Sequence, residues 1–213
     1  MKANQKTMNS IRALAVLLTG FLPVVCHAED GKTAQPPKTV TIGTQVWTAE
    51  NLQVSTFRNG EPVPEAKTDE EWMAAGKAER PAWCYYNNDP KNGEKFGKLY
   101  NWYAVNDPRG LAPSGWHIPT DAEWQSLITS YGGLSAAFAK LKAPDGFAAK
   151  PAGARYYKDA SFNNSGTITF WWSASKNDKW NGWYHAMHFG VQQVGRDNGG
   201  MNTGHSVRCV KDK

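Results

Sequence analysis

The chain has 213 residues, with 24 Lys and Arg against 19 Asp and Glu, and a formal net charge of +5. Hydrophobic residues make up 40% and charged residues 20%, which excludes both a membrane bundle and a highly charged disordered chain. The outlier is a 12% aromatic content with ten Trp beside twenty Gly. Rings that bury about 150–250 Å² each can build the core of one compact, loop-rich domain on a short chain.

Residues 1–28 read as a secretory signal peptide. Lys2, Lys6 and Arg12 form the positive end, Ala13 to Val25 the apolar run, and Cys26-His27-Ala28 the small-residue cleavage site before Glu29. A lipoprotein acylated at Cys26 is the alternative, but Pro23 and Val25 stand where that signal wants Leu and a small residue. Cleavage after Ala28 removes three bases and no acids, leaving 21 against 19 and a net charge of +2. With no Lys/Arg run, nucleic acid is not expected as a partner, and the mature chain holds no transmembrane segment. Periplasm or outer cell surface is the expected location. Two cysteines remain after cleavage, Cys84 and Cys209. In an exported chain such a pair commonly forms one bridge, here closing a loop of about 125 residues; two buried free thiols are the alternative.

Residues 29–38, with Pro36-Pro37, read as a polar linker ahead of a domain at 39–213. Thr39 to Leu52 reads as a hairpin turning at Gly43-Thr44. Thr68 and Glu71 have capping-box spacing for a short helix. Thr120 and Glu123 repeat it ahead of Trp124, Leu127, Ile128 and Tyr131, one apolar helical stripe ended by Gly132-Gly133. Phe170 to Ser173, Trp183 to Phe189 and Ser206 to Val210 read as strands. The sum is an α+β domain: short, mainly antiparallel strands, one or two helices, and long Gly/Asn-rich loops.

The sequence holds no P-loop, GxGxxG, GxSxG, CxxC or HExxH. His185 and His188 have helical metal spacing, but Gly182 and Gly190 bracket a strand-like run on which the two face opposite ways, so a hydrogen-bonded structural His185 is expected. No cofactor is expected; Asp159, Asp178 and Asp197 in Asn/Gly-rich loops leave a Ca²⁺ site with oxygen ligands as the open alternative. The remaining signal is aromatic residues in polar loops. Trp180 stands amid Asn, Asp, Lys and Gly, with Asp178, Asn181 and Tyr184 beside it, a set able to stack on sugar faces and bond hydroxyls. Trp171, Trp172 and Trp183 lie in apolar or alternating runs and read as core.

The runs WCYYNND, FGKLYNWYAVND, PSGWHIPTDAEWQSL, FWWSAS, NGWYHAMHF and HSVRCVKD, in that order after VTIGTQVWTAENL, resemble the Fibrobacter succinogenes major paralogous domain family over about Thr39 to Asp212. That family often has a Cys just before Pro-x-Gly-Trp-His, where this chain has Ala112, so Cys84 and Cys209 are the only pair available. HIPTDAEW and SVRCV are also similar to motifs of formylglycine-generating sulfatase-modifying enzymes, which implies a C-type-lectin-like fold. Of those enzymes' paired active cysteines only Cys209 is present, so their chemistry does not carry over; nor are the lectins' Ca²⁺ motifs matched. The family occurs in exported and surface proteins, but the resemblance brings no activity with it. The missing catalytic motifs and the aromatic residues in polar loops make a non-catalytic, exported binding or adhesion module the expectation, with a glycan or a cell-surface protein as its ligand. An enzyme or a structural envelope component on the same scaffold is the alternative.

Overall fold

The computed structural model describes residues 37–213. The expected signal peptide at 1–28 and nearly all of the linker at 29–38 lie outside the described residues. No helix among the described residues is long and apolar enough to cross a membrane.

In chain order the elements are β1 (Thr39–Ile42), β2 (Gln45–Thr48), α1 (Asp69–Lys77), β3 (Trp83–Cys84), a 3₁₀ turn (Tyr86–Asn88), α2 (Pro90–Phe96), β4 (Leu99–Tyr100), α3 (Trp102–Val105), β5 (Trp116–His117), α4 (Asp121–Ser130), α5 (Leu134–Lys142), β6 (Ala152–Arg155), β7 (Phe162–Ser165), β8 (Ile168–Lys176), β9 (Asn181–His188), β10 (Gln193–Gly200) and β11 (Val210–Lys211). They form a four-stranded sheet in the order β1-β2-β11-β5, a five-stranded sheet in the order β10-β9-β8-β6-β7, and the small pair β3-β4. Every named strand pair is antiparallel except β6 with β8. The fold class is α+β, as expected.

The N-terminal hairpin forms where the sequence suggests, with Ile42 opposite Gln45 and Gly43 at φ +59° taking the turn. Both capping boxes are made. The Thr68 hydroxyl accepts from Glu71 N–H, and the Glu71 carboxylate accepts from Thr68 N–H; Thr120 and Glu123 repeat the exchange at α4. Each hydroxyl cap contributes about 1 kcal/mol. On α4, Trp124, Leu127 and Ile128 are buried, and Trp47, Phe147 and Trp171 close around Trp124 at ring-centroid distances of 4.7, 5.9 and 5.6 Å.

Two expectations need correction. The helical content is larger than one or two helices: α2, α3 and α5 are further segments. They start on single signals, namely an Asp89 cap with Pro90 in the first turn, an Asn101 cap, and Gly133. The expected Cys84–Cys209 bridge is absent, because both residues are free, buried thiols. Cys84 packs with Trp72, Ala82 and Leu99, whereas Cys209 packs with Leu52, Tyr100 and Val207, so each serves as a small hydrophobe in its own cluster. Burial pushes both thiols up to about 12. A maleimide added to the native protein should therefore leave both unmodified, and unfolding without reductant should expose two reactive thiols. An unfolded chain that resists labelling until it is reduced would restore the bridge.

Candidate functional site

The turn between β8 and β9 carries the exposed aromatic residue. Trp180 is 60% exposed, the most open Trp among the described residues. Its position is set by Asp178, whose Oδ1 accepts from Trp180 N–H (2.7 Å), Asn181 N–H (2.9 Å) and Asn181 Nδ2 (3.1 Å). The Asn181 side-chain amide and these backbone donors, with Asn177, hold the Asp178 carboxyl below its ordinary value. Asp178 is thus a turn-holding residue, and the expectation that it bonds ligand hydroxyls is corrected to that extent. On one side of Trp180 the Lys179 ammonium lies 4.4 Å from the ring centroid.

From Trp180 a groove runs along the five-stranded sheet in two joined clefts. The first, about 530 Å³, is lined by Trp180 and Asn181 together with Tyr103, Tyr157, Asn198 and Asn202. The second, about 540 Å³, holds Tyr184 together with Tyr156, Asn163, Phe170 and His205. Tyr157, Asn198, Gly199 and Gly200 line both, so the clefts are continuous. Two glycines at the end of β10 let aromatic rings approach the backbone. A Cβ on Gly199 would meet Tyr184 Cε1 at 3.1 Å, and one on Gly200 would meet Asn202 Oδ1 at 3.1 Å and Tyr157 Cγ at 3.5 Å. Within the described residues, Oδ1 of Asn181, Asn198 and Asn202 accepts no hydrogen bond, leaving amide oxygens at the groove.

Of the four residues expected at the ligand surface, Trp180 and Asn181 come together in the first cleft and Tyr184 stands in the second. Tyr184 is half-buried, its ring edge-on to Phe170 (5.7 Å) and to His205 (5.0 Å). Tyr156 and Tyr157, edge to face at 4.7 Å, escaped the sequence reading. The signal available was a Tyr pair between Arg155 and Lys158-Asp159, a polar setting like that of Trp180.

His205 closes the back of the second cleft. It is 3% exposed, stacked on Phe170 at 5.0 Å, and neither ring nitrogen has a partner within the described residues. Burial pulls it down to about 3, so it is neutral.

The other candidates resolve as structural groups. His185 and His188 lie on opposite faces of β9. His185 is buried, stacked on Trp124 at 5.0 Å, and its Nε2 lies 3.1 Å from Asp121 Oδ1, the expected hydrogen-bonded role. Burial pulls it down to about 4, so the neutral ring donates Nε2–H to the carboxylate. Trp183 is half-buried rather than core, and the Arg196 guanidinium, paired with Asp121, lies over its ring at 3.4 Å. Asp159 accepts from Ser161, and Asp197 accepts from Asn198 N–H. No metal-holding group of His, Cys, Asp or Glu occurs among the described residues. His117 has carboxylates on both ring nitrogens, Asp212 at 2.7 Å and Glu123 at 2.8 Å. Neither nitrogen is left to exchange a proton with a substrate without first breaking one of these bonds.

These features define an α+β domain of mainly antiparallel sheets with an open groove of aromatic rings and amides along one sheet. Over residues 40–211 the chain matches the family described as the Fibrobacter succinogenes major domain, and it belongs to that family. Among curated proteins and among solved structures, nothing matches.

Proposed function

We propose that the protein is an exported, non-catalytic binding module whose groove takes a neutral glycan, on a C-type-lectin-like scaffold. The observation that carries this reading is the composition of the groove: rings at Trp180, Tyr157 and Tyr184 share it with Asn181, Asn198 and Asn202, whose amide oxygens accept no hydrogen bond within the described residues. Rings of this kind stack on the apolar faces of sugars, and amides serve the hydroxyl groups between them. The second cleft is lined by no Lys, Arg, Asp or Glu, and the first by one of each sign, Lys77 and Glu79, which favours a ligand without net charge. A scaffold of this type is supported by the first hairpin and the last strand sharing one sheet, with the helices and the other sheets carried between them as a long excursion. The signal-like first 28 residues support export to the periplasm or cell surface.

An array of neutral and charged glycans and cell-wall fragments tests the reading, with neutral oligosaccharides expected to be retained. Trp180→Ala should then weaken binding of a retained oligosaccharide by about 1–3 kcal/mol. Its melting temperature should stay within a degree or two of the parent, since exposed substitutions fall within about 0.5 kcal/mol. Unchanged affinity, or a large loss of stability, would remove Trp180 from the groove's function.

A further inference from the structure

A second cavity shares no lining residue with the groove. It measures about 70 Å³ and lies between the stretch after β2, the end of α2 and the segment before β6; Asn51, Lys95, Gly97, Ala148, Lys150 and Arg208 are among its lining. Its unusual member is Arg208, only 1% exposed. The guanidinium lies 4.3 Å from the Phe147 ring centroid, donates from Nε to Asn51 Oδ1 (2.7 Å) and donates from Nη1 to the Thr48 carbonyl (2.7 Å). Asn51 cannot turn away, because its Oδ1 also accepts from Trp171 Nε1 (3.0 Å) and its Nδ2 donates to the Phe96 carbonyl (2.8 Å). The third nitrogen, Nη2, has no partner among the described residues.

A buried cation of this kind ordinarily has an anion against it, since leaving it uncompensated costs several kcal/mol. Among the described residues Arg208 makes no ion pair. Glu50, on the cavity lining, turns outward to Lys38 at 3.1 Å, and the adjacent Cys209 is held protonated by burial. Burial pulls Arg208 down to about 9, with Glu50 opposing only in part. The wall carries a further sign of a specified shape: Ala148, a non-glycine residue, sits at φ +52°. The net charge on the lining favours an anion, with Arg208, Lys95 and Lys150 against Glu50 and Glu94.

We propose that this cavity binds a carboxylate group, which Arg208 Nη2 receives and Lys95 and Lys150 flank. The space admits a small group of a few heavy atoms, given about 10–15 Å³ of such space for one water. A planar monoanion suits it better than a phosphate, whose second charge would meet Glu50 and Glu94. The rest of the ligand would project through the mouth. The inference does not depend on the glycan reading of the groove.

The test is the side-chain ¹⁵N–¹H spectrum of the protein titrated with acetate, and separately with glucuronate, at ionic strength held constant with chloride. Arg208 Nε–H should shift saturably at millimolar concentrations of either, and the melting temperature should rise alongside. Equal affinities would mean that the carboxylate alone is read; tighter glucuronate would mean that the sugar adds contacts at the mouth; both support the site. Glucose at the same concentration should leave Arg208 unmoved. Because Arg208 also ties β2 in place, the variant of choice is Lys95→Gln/Lys150→Gln, both exposed, which should bind about three- to fivefold more weakly with an unchanged ligand-free melting temperature. A shift that fails to saturate, one that chloride alone reproduces, or an unchanged affinity in the double variant would overturn the proposal.

Discussion

Acidification from pH 6.5 to pH 4 should remove on the order of 6 kcal/mol of folding stability through two buried histidines, enough to unfold a domain of ordinary stability. His205 and His185 are held neutral in the folded protein, at about 3 and about 4, against an ordinary value of 6.5. Between those values the unfolded chain binds protons that the folded chain refuses, so the stability is full above pH 6.5 and falls as pH drops toward 4. The cause is geometric. His205 is boxed by Phe170, Trp172 and Tyr184 with no acceptor for an added proton, and His185 lies between Trp124 and an Asp121 already shared with Arg196. Further acid then protonates Asp121 and Glu123. Burial raises each of these carboxyls, but hydrogen bonds outweigh it and hold both below their ordinary values. Their stabilisation, present at neutral pH, is lost as pH falls through those lowered values. His117 acts in the opposite sense. Burial lowers it, but the hydrogen bonds and charges of Asp212 and Glu123 raise it overall, so its share is complete below 6.5 and disappears as pH rises through its folded value. Urea unfolding across pH 4–8 should therefore give a maximum near neutrality with the steep limb on the acid side. His205→Phe should flatten about half of that limb, and a wild-type profile level from pH 7 to pH 4 would contradict the burial of both rings.

Trp124→Ala should lower stability by about 3–5 kcal/mol, the range for removing a buried aromatic side chain. The indole is 1% exposed, and four rings surround it: Trp47, Phe147, Trp171 and His185. These come from β2, the segment before β6, β8 and β9, so one truncation opens a cavity where both large sheets meet α4. Equilibrium unfolding at pH 7 measures the loss directly. A loss below about 1 kcal/mol, no larger than a missing helix cap, would mean that the rings around position 124 collapse into the space without penalty.

What the sequence disclosed follows from how local each signal is. The hairpin at Gly43-Thr44 and the helix from Asp121 depend on neighbours three or four residues apart, and both form as read. β10 could not be read in the same way. Its sequence, QVGRDNGG, is loop-like, yet it pairs with β9 residue by residue from Gln193↔His188 to Gly200↔Asn181. The partner strand supplies the order, and the glycines that weaken the local signal are the ones that let Tyr184 and Tyr157 lie close. Trp180 was legible because it stands alone in a polar run, whereas the cleft beyond it gathers side chains from the Tyr156-Tyr157 loop, β7, β8, β9 and β10, spread along the chain from Ala154 to His205. Cysteine counting failed because it carries no distance: Cys84 and Cys209 sit in different apolar clusters. Asp178 was read as a ligand group because its neighbours are polar, and its carboxylate is instead occupied by the turn it shapes.

The central claim is that the joined clefts take a neutral glycan, and mapping a bound oligosaccharide by ¹⁵N–¹H spectra tests it most directly. Titration with a neutral oligosaccharide retained on the array should move the Trp180 indole N–H and the side-chain amides of Asn163, Asn181, Asn198 and Asn202, while leaving the buried Trp171 and Trp172 indoles in place. Shifts confined to another face of the protein, with these five groups unmoved at saturation, would contradict the account.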